Sequence, residues 1–301
     1  AHESRVRVLF TDDGSGKAGA LNLGAEAATG SILVFADARQ RFADDAVRRL
    51  VEEFAAQDVG AVSGRLIIGD GDSAAVRGVG LYWSFETRFR LAQSRTGSVI
   101  GATGAIYAVR RELFSRVPAN LILDDVFIPM KVVLAGHRVL LRPEAVAFDS
   151  ASAAAGSEYL RKLRTMTGNL ELLRVLPAVL SPLSNRYAIR YMSHKVFRVL
   201  SPVMVILLVA TGLMLAFVPY GLIATLVLGV LTLGLVGLLF PSRLLAVPAA
   251  FLLVQRAALM ALLKPRRDAA QLWITPAPQP VFLAGALPVS DKAVDPESAS
   301  R

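Results

Sequence analysis

Short apolar runs alternate with amphipathic segments along the first half of the chain. Residues 31–36 and 59–68 are apolar runs of the length found in buried strands. Residues 17–28 and 44–54 have helical spacing. The apolar face of the second helix comprises Ala46, Val47, Leu50, Val51 and Phe54. This alternation of strands and helices predicts an α/β fold with a mainly parallel sheet.

The second half of the chain is dominated by uncharged apolar segments. Residues 199–242 are 44 consecutive positions without Asp, Glu, Lys or Arg. Because one bilayer crossing takes about 20 apolar residues, this run is long enough for two. The two crossings are predicted at 199–218 and 221–240. A third is predicted at 244–263, although Gln255 and Arg256 would be costly in lipid, and a re-entrant or interfacial position is the alternative. A purely soluble protein is excluded.

Basic residues concentrate just before these apolar segments. The chain carries 33 Lys and Arg against 24 Asp and Glu, a formal net charge of +9. The bases that precede the first crossing are Arg161, Lys162, Arg164, Arg174, Arg186, Arg190, Lys195 and Arg198. Such a run is typical of the cytoplasmic flank of a membrane helix and attracts anionic lipid. We therefore expect membrane lipids, and not nucleic acid, as partners of interfacial helices over 156–198.

The predicted organisation has four parts. Residues 1–155 are expected to form a partial α/β domain, because the chain opens inside a strand-like run at 6–10. Interfacial helices, a transmembrane region over 199–264 and a disordered tail over 265–301 follow. The sequence contains no cysteine, which excludes a disulfide scaffold, a cysteine zinc site and a cysteine nucleophile.

A glycine-rich turn at 14–22 leads into the first predicted helix. Such a turn can present backbone N–H groups and a lysine to a phosphate, so Lys17 and Asn22 are candidates for binding a diphosphate. The spacing matches neither a Walker A loop nor a dinucleotide-binding fingerprint. An ordinary helix entry is therefore the alternative.

Three carboxylates stand where predicted elements begin or end. Asp37 follows the strand at 31–36, and α/β sheets bind ligands at the carboxyl ends of strands. It could hold a metal ion bound to a diphosphate, or serve only as a turn residue. Asp124 and Asp125 precede an apolar stretch, and one of them could act as a general base. Stabilisation of a helix N-terminus is the alternative for this pair.

Two further segments contain residues suited to binding a substrate. The small residues Gly101, Thr103 and Gly104 would let a substrate approach the backbone closely, unless they only form a tight turn. The second segment contains Arg161, Lys162 and Arg164. Its bases could bind a diphosphate, since arginine recognises phosphate through paired N–H groups, and attraction to lipid is the alternative.

Four motifs follow one another in a characteristic order. They are Gly16-Lys17-Ala18-Gly19-Ala20-Leu21-Asn22, Gly104-Ala105-Ile106-Tyr107-Ala108-Val109-Arg110-Arg111, Asp124-Asp125 and Ser193-His194-Lys195-Val196. As an ordered set they resemble the membrane-embedded family-2 glycosyltransferases over about residues 5–264. The cellulose synthase and poly-N-acetylglucosamine synthase types are the most similar, and hyaluronan synthase and chitin-oligosaccharide synthase are more distant. The resemblance implies a GT-A-type, Rossmann-like nucleotide-sugar domain whose first strand lies upstream of residue 1.

The resemblance also implies roles for the acidic residues. Asp37 matches the first Asp of the family's DxD element, which contacts the nucleotide diphosphate and its Mg²⁺ or Mn²⁺ ion. Arg39 stands where the second Asp of that element is expected. Asp125 matches the general base, with Asp124 beside it.

The remaining candidates fall in the family's substrate-binding segments. Gly101, Thr103 and Gly104 would lie near the acceptor sugar. The bases Arg161, Lys162 and Arg164 would contact the donor diphosphate. Thr165 replaces the tryptophan that stacks on the acceptor sugar in processive synthases.

The implied function is inverting transfer of a sugar from a nucleotide sugar, expected to be a UDP-sugar, at the cytoplasmic face of the cell membrane. The acceptor would be a growing polysaccharide or a lipid-linked acceptor, and accessory membrane subunits are possible partners. Thr165 favours a first alternative, the transfer of a single sugar to a lipid. Arg39 favours a second, a non-catalytic membrane subunit built on a degenerate transferase domain.

Overall fold

The structure is a computed structural model of the chain. The residues that it describes are 6–11, 16–38, 40–68, 86–119, 121–149, 155–215, 220–240, 242 and 244–263. Arg39 and the tail predicted over 265–301 lie outside these residues.

The described part of the α/β domain contains five strands and four helices. The strands are β1 (Ile32–Ala36), β2 (Arg41–Phe42), β3 (Val59–Ile68), β4 (Ile106–Arg110) and β5 (Arg138–Asp149). Three of the helices are α1 (Gly16–Ala27), α2 (Ala46–Glu52) and α3 (Asp124–Leu134). Residues 86–95 form the fourth. Short 3₁₀ turns occupy Glu53–Ala55 and Arg111–Leu113.

The sheet is mixed, and the prediction of a mainly parallel sheet is wrong in this respect. The strand order is β1-β4-β3-β5-β2, and only β3 and β5 pair in parallel. Strands β1 and β3 both run antiparallel to β4, so β1, β3 and β5 share one direction, as strand–helix alternation predicts. The reversed strands are β2, between β1 and β3 in the chain, and β4, between β3 and β5. The strand–helix alternation did not predict either of them.

Two apolar layers cover the sheet. On one face α2 packs against the sheet through Ala46 and Leu50, and the 3₁₀ turn after it packs through Phe54; these side chains are at most 6% exposed. The predicted apolar face of this helix also included Val47 and Val51, but these side chains are 45% and 38% exposed. On the other face, α3 and the helices that follow β5 form the larger core.

The strand-like run at residues 6–10 does not form a strand. Residues 6–11 have no regular secondary structure, and Val6, Val8 and Phe10 are all more than two-thirds exposed. A strand needs a neighbour for its backbone hydrogen bonds, and none of the described strands pairs with this run.

Five helical elements follow the sheet. They are α4 (Ala155–Val175), α5 (Ala188–Tyr191), α6 (Phe197–Leu215), α7 (Tyr220–Leu239) and α8 (Ala246–Leu263). A 3₁₀ turn (Pro177–Leu180) follows α4, and a π-helical turn (Met192–Val196) joins α5 to α6. Within the described part of the chain, three segments are long and apolar enough to span a membrane, namely Ala188–Met214, Gly221–Leu239 and Ala246–Leu263.

The first of these segments begins earlier than the predicted boundary at residue 199. The predicted interfacial helix and the first crossing form one continuous helix from Ala188, because no glycine or proline interrupts the chain before Phe197. Residues 216–219, at the predicted end of this crossing, lie outside the described part of the chain.

The polar residues of α8 face other helices. The Ser201 hydroxyl of α6 donates a hydrogen bond to Gln255 Oε1 at 3.0 Å. The guanidinium of Arg256 lies 4.8 Å from the centre of the Tyr159 ring of α4. These contacts lower the cost that both residues would have in lipid. Whether 244–263 crosses the membrane stays a prediction, as do the other domain boundaries.

Candidate active site

Three elements place Lys17 between two carboxylates. Gly16 adopts a φ of +57°, which glycine tolerates, and the first turn of α1 follows it. The Lys17 ammonium lies 3.4 Å from Asp37 Oδ1, just after β1, and 3.1 Å from Asp124 Oδ2, in the first turn of α3. Three residues predicted from separate motifs therefore form one cluster.

Burial makes this cluster electrostatically unusual. Asp124 is 3% exposed, and desolvation, with the charge of Asp125, raises its pKa to about 6 even though Lys17 opposes the shift. For Lys17, burial alone would lower the pKa, but the carboxylates of Asp124, Asp37 and Asp125 raise it overall. The lysine therefore stays charged, and Asp124 titrates close to neutral pH.

The glycine loop at 101–104 lies directly against Asp125. The Ala102 amide donates a 2.7 Å hydrogen bond to the Asp125 carbonyl oxygen. A Cβ atom on Gly104 would stand 3.1 Å from Asp125 Oδ2, closer than ordinary van der Waals contact. The loop predicted to lie near the acceptor and the residue predicted as the base are therefore neighbours.

Arg90, in the helix at 86–95, was not predicted and holds this loop in place. It donates to Thr103 Oγ1 at 2.9 Å, to the Gly101 carbonyl at 3.1 Å and to Ser63 Oγ at 3.0 Å. Burial lowers the pKa of Arg90, and the charges of Glu86 and Asp125 partly offset this effect. No motif marked this arginine in the sequence, because its partners are brought to it by the fold and have no fixed spacing from it.

Helix α4 brings Arg164 towards the carboxylates. Burial lowers the pKa of Arg164, while the charges of Asp125, Asp124 and Asp37 act against that shift. Arg161, one helical turn earlier, is exposed, and Lys162 is half-buried on another side of the helix. The charge of Arg164 therefore acts together with the acidic cluster.

Two predicted binding residues use their side chains within the fold. Asn22 is buried, and its Nδ2 donates to the Val117 carbonyl while its Oδ1 accepts from the Val117 amide, both at 2.8 Å. The Thr103 hydroxyl accepts from Arg90, as described above. In this conformation Asn22 joins α1 to the segment before α3, and Thr103 helps to fix the glycine loop.

Tyr107 of β4 lies beneath the acidic cluster. Its ring stacks on Phe35 of β1 with 4.8 Å between the ring centres. Burial, with the charges of Asp124, Asp125 and Asp37, raises its pKa well above the usual value. Tyr107 therefore stays neutral. Its stacked, buried ring lowers the local polarity, which strengthens the nearby ion pairs of Lys17.

The described residues fit a metal ion only in part. No group of three or more His, Cys, Asp or Glu side chains comes together among them. The ammonium of Lys17 occupies the position between Asp37 and Asp124. Since Mg²⁺ is often held by one or two carboxylates together with substrate phosphates, Asp37, whose side chain is 42% exposed, fits a cation that arrives on a diphosphate. It does not fit a site made by the protein alone.

Comparisons with known proteins concern the fold and the family of part of the chain. Residues 1–117, which include Lys17, Asp37 and the glycine loop, match the family model described as Glycosyl transferase family 2. The chain has no match among curated proteins. A solved structure similar to this one is the mannosyltransferase PcManGT from Pyrobaculum calidifontis in complex with GDP-Man and Mn²⁺, at 18% identity and a TM-score of 0.54. The match covers 83% of this chain and 66% of the mannosyltransferase, so the chain spans about two thirds of that protein. The GT-A-type α/β fold followed by apolar helices is thus confirmed, and the similarity to Glycosyl transferase family 2 covers residues 1–117.

Proposed function

We propose that this protein transfers a sugar from a nucleotide-sugar donor to a lipid-linked or glycan acceptor at the cytoplasmic face of a membrane. The observation that carries the proposal is the position of Asp125. Its carboxylate lies against Gly104 on one side, and the cluster of Lys17, Asp37 and Asp124 adjoins it. The Glycosyl transferase family 2 domain and the likeness to a mannosyltransferase fold support this function.

The cluster at the end of β1 suits the donor. Lys17 and Arg164 would stabilise the negative charge of the diphosphate, with Arg161 and Lys162 further along α4. Asp37 would hold a divalent cation that arrives with the donor, as Mn²⁺ accompanies GDP-Man in the mannosyltransferase. When bound, such a cation would offset charge on the leaving diphosphate.

Asp125 would act on the acceptor. Its carboxylate takes the proton of the acceptor hydroxyl while that oxygen attacks the anomeric carbon of the donor sugar. The bond from the anomeric carbon to the diphosphate oxygen breaks, and the configuration inverts. Asp124 is unsuited to this step because it is buried and paired with Lys17, so its role is to hold Lys17 at the donor.

A lipid-linked acceptor suits the site better than a long polymer. Thr165 stands where processive synthases of the resembling family carry a stacking tryptophan, and its hydroxyl donates a 2.9 Å hydrogen bond to the Arg161 carbonyl. This side chain therefore offers no aromatic face to an acceptor sugar. The adjacent helices are long and apolar enough to span a bilayer, and if they do so the site would lie beside lipid.

The test is nucleotide release by the full chain in lipid nanodiscs, measured across a panel of UDP- and GDP-sugars with a lipid extract as the acceptor source. With the productive donor, Asp125→Asn should lower turnover by about 100-fold or more. The matched control is Asp45→Asn, which removes an exposed carboxylate that pairs with Arg49. If Asp125→Asn keeps the turnover of the control while remaining folded, the base assignment is wrong.

A further inference from the structure

A cavity of about 160 Å³ lies between the α/β domain and the start of the first apolar helix. Its walls come from the helix at 86–95, from Gly101 and Ala102 of the glycine loop, and from the π-helical turn with the first residues of α6. The cavity therefore adjoins the candidate active site through the loop that contacts Asp125. The proposed transfer chemistry uses neither the π-helical turn nor the first turn of α6.

The lining of this cavity is strongly basic. Arg90, Lys195 and Arg198 contribute positive charge, and Glu86 is the carboxylate among the lining residues. The charges of Asp125 and Glu86 act on Lys195, so three bases stand against two carboxylates and positive charge remains in excess. Clustered cations in a partly enclosed space repel one another unless an anion joins them. The cavity is therefore suited to a small anionic group.

The π-helical turn places two of these residues. His194 packs its ring on Phe89 of the helix at 86–95, with 4.4 Å between the ring centres. Lys195 follows directly, and Arg198 lies in the first turn of α6. Such turns often occur at functional sites, because the extra residue per turn redirects the side chains around it. Here it helps to bring the Lys195 side chain to the cavity.

The position of the cavity along the helix points to a lipid. The residues that follow Arg198 on α6 include exposed apolar side chains, among them Leu200, Val203 and Met204. This helix is part of a segment apolar enough to span a bilayer. A basic site at the end of such a segment lies at the level of lipid headgroups. An anion bound there could carry an alkyl chain along α6.

We infer that this cavity binds the phosphate group of a lipid-linked acceptor, through Lys195, Arg198 and the charge of Arg90. The inference rests on the proposed sugar transfer and names the acceptor class for the same site. Phosphate esters of long-chain lipids combine the charge that the cavity needs with the apolar chain that α6 can accommodate. The loop at Gly101 and Ala102 would then separate the phosphate from the reacting hydroxyl at Asp125.

The test measures binding directly, without turnover. The full chain in phosphatidylcholine nanodiscs is titrated with farnesyl phosphate, farnesyl diphosphate and farnesol, and bound ligand is counted by native mass spectrometry. We expect the two phosphate esters to bind at least about tenfold more tightly than farnesol. Lys195→Gln and Arg198→Gln should each weaken phosphate-ester binding by about tenfold to a hundredfold, the range for charged hydrogen bonds.

Arg174→Gln is the matched control, because Arg174 is an exposed base in the last turn of α4 and does not line the cavity. It should bind like the wild type. Competition with inorganic phosphate and with phosphatidylglycerol separates the possible sources of the phosphate. The inference is overturned if either competitor displaces farnesyl phosphate at equal concentration.

Two other results would also overturn it, namely equal binding of farnesol and farnesyl phosphate by the wild type, or wild-type binding by both variants. The wild-type comparison needs no variant, so it decides the question even if a variant fails to fold. The binding result is also independent of the proposed function. Phosphate-dependent binding without turnover would leave the cavity assignment intact and reject the sugar transfer, and the reverse pattern would reject the cavity.

Discussion

Replacing Asp124 by Asn should stabilise the protein at neutral pH while it impairs the site. Asp124 is 3% exposed, and its folded-state pKa is about 6 compared with 3.8 for an unperturbed aspartate. An acidic group whose pKa rises on folding contributes its full stability below the unfolded pKa, and that contribution is lost as pH rises through the folded pKa. The loss therefore occurs between about pH 4 and pH 6.

The size of this effect follows from the two pKa values. Their difference corresponds to about 3 kcal/mol, the cost of keeping Asp124 ionised in the folded protein above pH 7. Asn has nearly the same shape but cannot ionise, and Lys17 keeps its contact with Asp37 at 3.4 Å. Asp124→Asn should therefore raise the free energy of unfolding at pH 8 by up to about 3 kcal/mol, with little change at pH 4.

The assay is thermal unfolding in detergent at several pH values between 4 and 8. At pH 8 the variant should melt higher than the wild type by roughly 5 °C, with nucleotide release lowered because Lys17 loses one of the two carboxylates that hold it. Asp58→Asn is the control of opposite sign, because Arg138 lowers the pKa of the exposed Asp58 and its contribution fades in acid. An Asp124→Asn variant that melts lower than the wild type at pH 8, or whose advantage persists at pH 4, would refute this electrostatic account.

The remaining predictions concern the glycine loop and the cation. Gly104→Ala should lower turnover by about tenfold or more with the fold retained, because the new Cβ would stand 3.1 Å from Asp125 Oδ2. Gly24→Ala is its control, since a Cβ there meets nothing within 4 Å; it should keep wild-type turnover and gain about 0.5–1 kcal/mol. Asp37→Asn should raise the Mn²⁺ concentration for half-maximal nucleotide release by roughly tenfold. An unchanged metal requirement would remove Asp37 from the cation site.

Local pattern was sufficient for most elements. The predicted strand at 59–68 matches β3, and the helix predicted over 17–28 corresponds to α1. At both elements periodicity and composition favour the same secondary structure, so local sequence was enough to predict them. The sheet direction could not be obtained in this way, because strand order depends on which strand enters between two others. Strand β4 does this between β1 and β3.

The candidate site also contains some residues that the sequence could predict and others that it could not. Motif order singled out Lys17, Asp37 and the Asp124–Asp125 pair, and the structure brings these residues together. Arg90 could not be singled out, because an arginine in an amphipathic helix has the same local pattern whether it faces solvent or fixes a loop. Asn22 is the opposite case. It lies in a motif predicted to bind a diphosphate, but its side chain makes its hydrogen bonds to the backbone of Val117.

The sequence by itself determined the α/β fold, the apolar helices, the order of the motifs and the chemical character of the acidic residues, because these depend on residue type and spacing along the chain. Tertiary structure alone decided that Lys17 stands between Asp37 and Asp124, that Gly104 contacts Asp125 and that Arg90, Lys195 and Arg198 share a cavity. The physical reason is that charge, burial and close approach act across space. Desolvation of Asp124 and the grouping of distant bases arise only when the elements pack.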